Sequence, residues 1–165
     1  MFQVTEATES DIPSWLNLAK QVEHLFGPMV DQGFDRAIRS NIQRGSAFCV
    51  RSAMTPDILA GGLLFDYRHP PHYALSWLAV ATTLQRKGIG QLLLRYAIAK
   101  TILPCTAEVI TFGPDHPGGE AARRFYEPLG FRPGLRRNPG PDEGSRQTYT
   151  LRNPPLQPTV EERGG

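Results

Sequence analysis

A chain of 165 residues, 40% hydrophobic and 21% charged, has the length and composition of one soluble domain able to bury its own core. A net charge of +2, with arginines adjacent only at Arg123-Arg124 and Arg136-Arg137, offers no patch for nucleic acid or a membrane surface. The opening Met-Phe-Gln-Val-Thr-Glu has neither a basic start nor an apolar h-region, and no apolar run reaches membrane-spanning length, so a cytoplasmic location is expected.

In chain order, Phe2 to Ala7 has strand character, and Ser10 or Asp11 is placed to cap a helix running to about Phe26. Ile12, Trp15, Leu16, Ala19, Val22 and Leu25 recur at helical spacing and give that helix an apolar face. After a loop at Gly27-Pro28, a second amphipathic helix is expected near Phe34 to Gln43. Ser46 to Ala53 and Ile58 to Tyr67 read as strands joined by the turn Thr55-Pro56-Asp57. His69-Pro70-Pro71 turns into a strand from Tyr73 to Val80, and a long apolar helix follows from Gly88 to Ile102. Pro104 breaks the chain before a short strand, Ala107 to Phe112. A loop from Pro114 to Gly119 leads to a helix that Pro128 and Gly130 stop near Leu129. Phe131 to Leu135 and Ser145 to Leu151 are expected to pair around the turn-rich stretch Asn138 to Gly144. Residues 1–151 then form one α+β domain around a mixed sheet, and 152–165 a disordered tail. Cys49 and Cys105 stand in apolar contexts without metal-ligand spacing, so free buried thiols and no metal site are expected.

Chemistry concentrates in Gln85-Arg86-Lys87-Gly88-Ile89-Gly90, between the Tyr73 strand and the long helix. Two glycines at a helix start leave backbone N–H groups bare. Those groups lack intrahelical acceptors and carry the positive end of the dipole, so an anion such as phosphate is their natural occupant. Arg86 and Lys87 oppose the dipole unless a polyanion is bound. A Walker A loop would need Gly-Lys-Ser or Gly-Lys-Thr, and here Lys87 precedes its glycine. A dinucleotide fingerprint would need glycine at Leu93 and an acidic residue downstream, yet Gly90 to Ala107 holds no Asp or Glu.

Gln85-x-x-Gly88-x-Gly90, preceded by Trp77-Leu78-Ala79-Val80 and followed by Gln91-Leu92-Leu93-Leu94, resembles the acyl-CoA-binding signature of the GNAT N-acetyltransferase superfamily. Ala122-Arg123-Arg124-Phe125-Tyr126-Glu127-Pro128-Leu129-Gly130-Phe131 resembles its later motif: an alanine, a tyrosine four residues on, then Gly-Phe. The resemblance extends from Phe2 to Leu151. It implies a three-layer fold whose mixed, mostly antiparallel central sheet is flanked by helices. It further implies acetyl-CoA as cosubstrate with no metal, an amine acceptor (small molecule or protein), and direct attack in a ternary complex. A homodimer is left open. By the same resemblance, Leu78, Ala79 and Val80 hold the pantetheine arm through their backbone, with the Leu78 amide polarising the thioester carbonyl. Gln85, Arg86, Lys87, Gly88, Ile89, Gly90 and Gln91 cradle the phosphates, and the Tyr126 hydroxyl protonates the departing thiolate.

An acceptor ammonium must lose a proton before attack, and superfamily members often carry an acid or histidine just before the Leu78 position. Leu75, Ser76 and Trp77 stand there instead. His72, His69 and Asp66, with Ser76 as a water-holder, are the nearby candidates, and the base is left unassigned. An asparagine often found seven residues before the tyrosine is here Gly119, with Asp115 or His116 as candidate substitutes. Arg123 and Arg124 are read as solvated rather than as ligands of a CoA phosphate. Acceptor specificity is expected from the first two helices and the loops after Tyr67 and around Asn138, where Trp15, His24, Phe26, Met29 and Phe34 lie among Glu23, Asp31 and Asp35. The missing base and Gly119 also suit an alternative, a non-catalytic acyl-CoA-binding domain. Tyr126 speaks against it, since a pure binder needs no acid.

Overall fold

Strands β1 (Val4–Glu6), β2 (Ala47–Arg51), β3 (Leu59–His69), β4 (His72–Val80), β5 (Thr106–Phe112), β6 (Arg132–Arg137) and β7 (Arg146–Arg152) form one sheet in the computed structural model. Their order is β1-β2-β3-β4-β5-β7-β6. Only β4 and β5 run parallel; every other pair is antiparallel. The described residues are 2–26, 30–55 and 57–154. Gly27-Pro28, Met29, Pro56, the tail from 155 onward, and the side chains of Leu25 and Phe26 lie outside them.

Helices α1 (Ile12–Phe26) and α2 (Gln32–Arg44) cover one face of the sheet, and α3 (Ile89–Ala99) and α4 (Gly119–Tyr126) the other. Strand alternation supplies a core to each side. Ala47 and Cys49 of β2 join Ile12, Trp15, Leu18, Val22 and Ile38 beneath α1 and α2. Phe48 and Val50 join Ile89, Leu93, Leu94 and Ala97 beneath α3. Both cysteines are buried and free. The result is the expected α+β, three-layer arrangement.

Several strand and helix ends differ from the sequence reading by one to a few residues, and three helix boundaries do so for a local reason. Thr8, not Ser10 or Asp11, opens the first helical segment, through a short 3-10 turn (Glu9–Asp11) that leads into α1. Asp11 is instead the third residue of a capping box, accepting from the Thr8 N–H at 2.8 Å and pairing with Arg51 at 2.6 Å. Helix α2 starts two residues before Phe34 because the Asp31 carboxylate accepts the Phe34 N–H at 2.8 Å. Helix α3 ends at Ala99 rather than Ile102, whose side chain is 72% exposed, as the chain turns through Pro104 towards β5.

One irregularity positions everything that follows. Phe65 pairs with Leu75 but Leu64 pairs with Trp77, so Ser76 is the extra residue of a β-bulge in β4. Tyr73 and Leu75 face α3 and α4 before the bulge; Leu78 and Val80 face them after it. Without the extra residue that alternation would put Leu78 in the other core.

Candidate functional site

Strands β4 and β5 pair from His72 with Thr106 to Leu75 with Val109, and the ladder stops there. Beyond Leu75 the strands separate, leaving a wedge along Ser76–Val80. The direction of the backbone groups in that wedge follows from the opposite edge of β4. Ala81 N–H donates to Ala60 at 2.8 Å, and the register continues through Gly61 with Val80 to Leu64 with Trp77. In an antiparallel ladder hydrogen-bonded pairs alternate with non-bonded ones, so Ala79 and Trp77 bond to β3 while Val80 and Leu78 turn away from it. The Leu78 and Val80 N–H and C=O therefore point into the wedge. Consistent with this, the Val80 carbonyl accepts from Gln85 Nε2 at 3.4 Å.

Helix α3 begins at the mouth of the same wedge. Gly88, at φ 82, is its left-handed N-cap, and the first intrahelical bond runs from Leu92 N–H to Gly88 C=O at 3.0 Å. The N–H groups of Gly88, Ile89, Gly90 and Gln91 thus precede the helical ladder. No side chain caps them, no acidic residue stands in the first turn, and among the described residues none has an acceptor. The two glycines serve different ends. A Cβ on Gly88 would meet nothing within 4 Å, whereas one on Gly90 would lie 3.2 Å from the Phe125 ring. Gly88 keeps the cradle open, and Gly90 lets α3 approach α4.

A cavity of about 510 Å³ fills the wedge. It brings together Leu78, Ala79, Val80, Gln85, Arg86, Gly88, Ile89, Gly90, Gln91 and Tyr126. Lys87 does not line it: left-handed turns at Arg86 (φ 65) and Gly88 send the intervening side chain to solvent. The wall opposite β4 was not read from sequence. Thr111 and Phe112 of β5, Gly118, and Ala121, Ala122, Arg124 and Phe125 of α4 form it. Arg124 reaches this wall while pairing with Glu120 at 2.6 Å across an exposed helix face. A sequence shows that β5 and α4 exist, but only the parallel β4–β5 register sets them across the wedge.

Tyr126 is nearly fully buried, its ring held by Phe125 at 4.9 Å, Phe131 at 5.4 Å and Tyr149 at 5.7 Å between centroids. Among the described residues nothing hydrogen-bonds its hydroxyl, and burial pushes its pKa above the ordinary tyrosine value. It is a neutral phenol facing the cavity with an unused proton.

The base candidates lie elsewhere. His72 sits at the far end of β4, 2.8 Å from Thr106 Oγ1, and His69 is exposed beside it. Asp66 is held by Arg68 through two bonds of 3.0 Å, which keep its carboxyl down at about 2. Among the described residues the lining holds no Asp, Glu, His or Lys. The proposed substitutes for the missing asparagine are occupied too. Asp115 pairs with Arg136 at 2.7 Å. His116 accepts the Gly118 N–H at Nδ1 (2.8 Å), donates from Nε2 to Asp142 (2.7 Å), and stacks on Phe112 at 4.1 Å.

Gly119 has a packing reason. A Cβ there would lie 2.2 Å from the Gly113 carbonyl oxygen, and one on Gly118 would lie 2.6 Å from the Phe112 ring. An asparagine cannot occupy this helix start without moving the Gly113-Pro114 backbone. Gly119→Ala is expected to cost about 2 kcal/mol, read as a fall of roughly 4–8 °C in melting temperature.

A second cavity, of about 370 Å³, abuts the bulge from the α2 side. Ser76 and Trp77 line it, together with Phe34, Asn41, Arg44, Asp66 and Arg68 among others. Of the expected acceptor-side aromatics, Phe34 lines it and packs on Trp77 at 5.4 Å. Trp15 is wholly buried core, and the exposed His24 bonds the Gln21 carbonyl at 2.9 Å.

The model of the Acetyltransferase (GNAT) family matches residues 11–131. No curated protein matches the sequence. Among solved structures, the ribosomal-protein-S18-alanine N-acetyltransferase from Escherichia coli superposes with a TM-score of 0.71 at 18% identity, covering 97% of this chain and 99% of that one. The NatC complex bound to Gag peptide and CoA gives 0.73 at 19%, covering 92% and 98%. A GNAT-like decarboxylase, GphF, in complex with isobutyryl-CoA gives 0.70 at 12%, covering 91% and 98%. At these identities the superpositions establish the shared fold.

Proposed function

Because the chain belongs to the acetyltransferase (GNAT) family, we propose that it transfers an acetyl group from acetyl-CoA to a primary amine by direct attack in a ternary complex. The observation that carries this reading is the set of four uncapped amides, Gly88 to Gln91, lining one cavity with the unpaired β4 edge and the Tyr126 hydroxyl. Acetyl-CoA supplies the activated acyl group. Residue by residue, the chain fits it. The α3 amides and Arg86 bind phosphate. The Leu78 and Val80 backbone holds the pantetheine arm as a strand would, and the Leu78 N–H is the donor for the carbonyl oxygen. Tyr126 holds a proton at its hydroxyl for the departing sulfur. With no Asp, Glu, His or Lys among the described residues of that lining to accept it, the amine's proton goes to water.

Calorimetric titration with acetyl-CoA and with CoA tests the cradle, and binding of both is expected. Failure of both to bind would remove the basis of the reading. Thiol release in the presence of amines then tests catalysis. Its rate should rise with pH up to the acceptor's own amine pKa, because no enzyme base sets a lower limb.

A second reading, an acyl-CoA binder without amine transfer, is favoured by that same lack of a proton-accepting side chain among the described residues of the lining. Binding of acetyl-CoA with no thiol release for any amine tested up to pH 10 would select it. The GphF neighbour, described as a decarboxylase, illustrates other chemistry on this fold.

A further inference from the structure

Charge around the second cavity narrows the acceptor. Five carboxylates in or beside the first two helices and β3 are already engaged. Asp66 is doubly bonded to Arg68. Asp35 pairs with Arg39 at 2.9 Å, Asp31 caps α2, and Glu23 accepts the Val30 N–H at 3.2 Å. Asp11 is held by Arg51. A cationic acceptor would have to displace one of these partners. Arg44 is the contrary case: it lines the cavity, and among the described residues it has neither an ion pair nor a hydrogen bond. Asp66 and Arg68 cancel, so the charge left over in the lining is the positive one of Arg44. Phe34 against Trp77, with Ala37 and Leu64, forms the apolar part of the remaining wall, and Ser40, Asn41 and Ser76 its neutral polar part.

Position links this cavity to the chemistry. Ser76 and Trp77 line it, while Leu78, Ala79 and Val80 line the wedge, and past Leu75 no β5 pairing closes the sheet there. A volume of about 370 Å³ suits a small molecule. Resting on the acyltransferase reading above, we infer that the acceptor is a small amine carrying an anionic group, with Arg44 taking the anion and the Phe34–Trp77 walls the apolar part. Polyamines and other polycations are then poor acceptors.

Thiol release is measured with matched amines that differ by the anion: L-phenylalanine against phenethylamine, and O-phosphoethanolamine against ethanolamine. The anionic member of one pair should be favoured about tenfold in kcat/KM, the pair itself distinguishing carboxylate from phosphate. Arg44→Glu should erase that preference through KM, and Arg44→Gln should reduce it. Equal use of both members, or preference for the uncharged ones, would overturn the inference and leave the acyltransferase reading standing. Failure to bind acetyl-CoA would overturn that reading instead. Should no amine of the four be turned over, the CoA-loaded protein is titrated with N-acetyl-L-phenylalanine and with N-acetylphenethylamine. Tighter binding of the acid, lost in Arg44→Glu, supports the inference; equal or absent binding of the two overturns it.

Discussion

Replacing Tyr126 by phenylalanine is expected to lower kcat about a hundredfold while leaving acetyl-CoA binding and melting temperature near their wild-type values. The split follows from how the side chain is held. Phe125, Phe131 and Tyr149 fix its ring, and phenylalanine keeps all three contacts. The hydroxyl has no hydrogen bond among the described residues, so its removal leaves no partner unsatisfied. What is lost is a proton facing the cavity. Steady-state kinetics with calorimetric titration of acetyl-CoA measure both halves. Unchanged kcat would sink the acid role, and a parallel loss of acetyl-CoA binding would show that the residue acts through packing.

The raised pKa of Tyr126 has a pH signature of its own. Its folded value lies above the unfolded one, so the folded state keeps a proton that the unfolded state releases from about pH 10 upward. The stability tied to this group is fully present below that pH and is lost as pH rises through the folded pKa. Burial raises Tyr67, Tyr149 and the Cys49 thiol in the same direction, so wild type should carry all of these losses and Tyr126→Phe one fewer. Melting temperature recorded from pH 8 to 11 reads the difference.

The glycine pair was legible because a helix start with bare amides needs that residue type at a fixed place, and the tyrosine was legible only through its resemblance to a family motif. Gly88 must adopt φ 82, and few other residues do so cheaply. The bulge was not legible. Tyr73, Leu75, Trp77, Leu78 and Val80 read as one continuous strand, and which residue is extra depends on the β3 partner, Phe65 or Leu64. The far wall of the cavity depends likewise on the β4–β5 register. Gly119 looked like a missing ligand because composition cannot show that the Gly113 carbonyl lies where its Cβ would be. Carboxylates in the first two helices looked available for an amine, whereas Asp31 and Asp35 are taken up by a helix cap and an ion pair.

Gly88→Glu is expected to weaken acetyl-CoA binding about a hundredfold or more, the largest effect on affinity that a single change in the cradle should produce. Two effects of that substitution must be kept apart. The first is backbone strain: a side chain at φ 82 costs about 1–2 kcal/mol, because the left-handed region crowds Cβ against the carbonyl. No neighbour adds to this, since the Cβ meets nothing within 4 Å, and the protein should therefore still fold. The second is charge: a carboxylate placed before the amides of Ile89, Gly90 and Gln91 supplies the anion they lack and repels the phosphate that would otherwise bind. Gly88→Asn separates the two, because asparagine tolerates the left-handed conformation and brings no charge. It should retain most of the affinity that glutamate removes. Gly90→Ala tests the other glycine, whose neighbour is the Phe125 ring at 3.2 Å and not open space. There the expected cost falls on α3–α4 packing, read as a lower melting temperature. Equal binding by wild type and Gly88→Glu would mean that the α3 amides hold no phosphate, and the cavity would need another occupant.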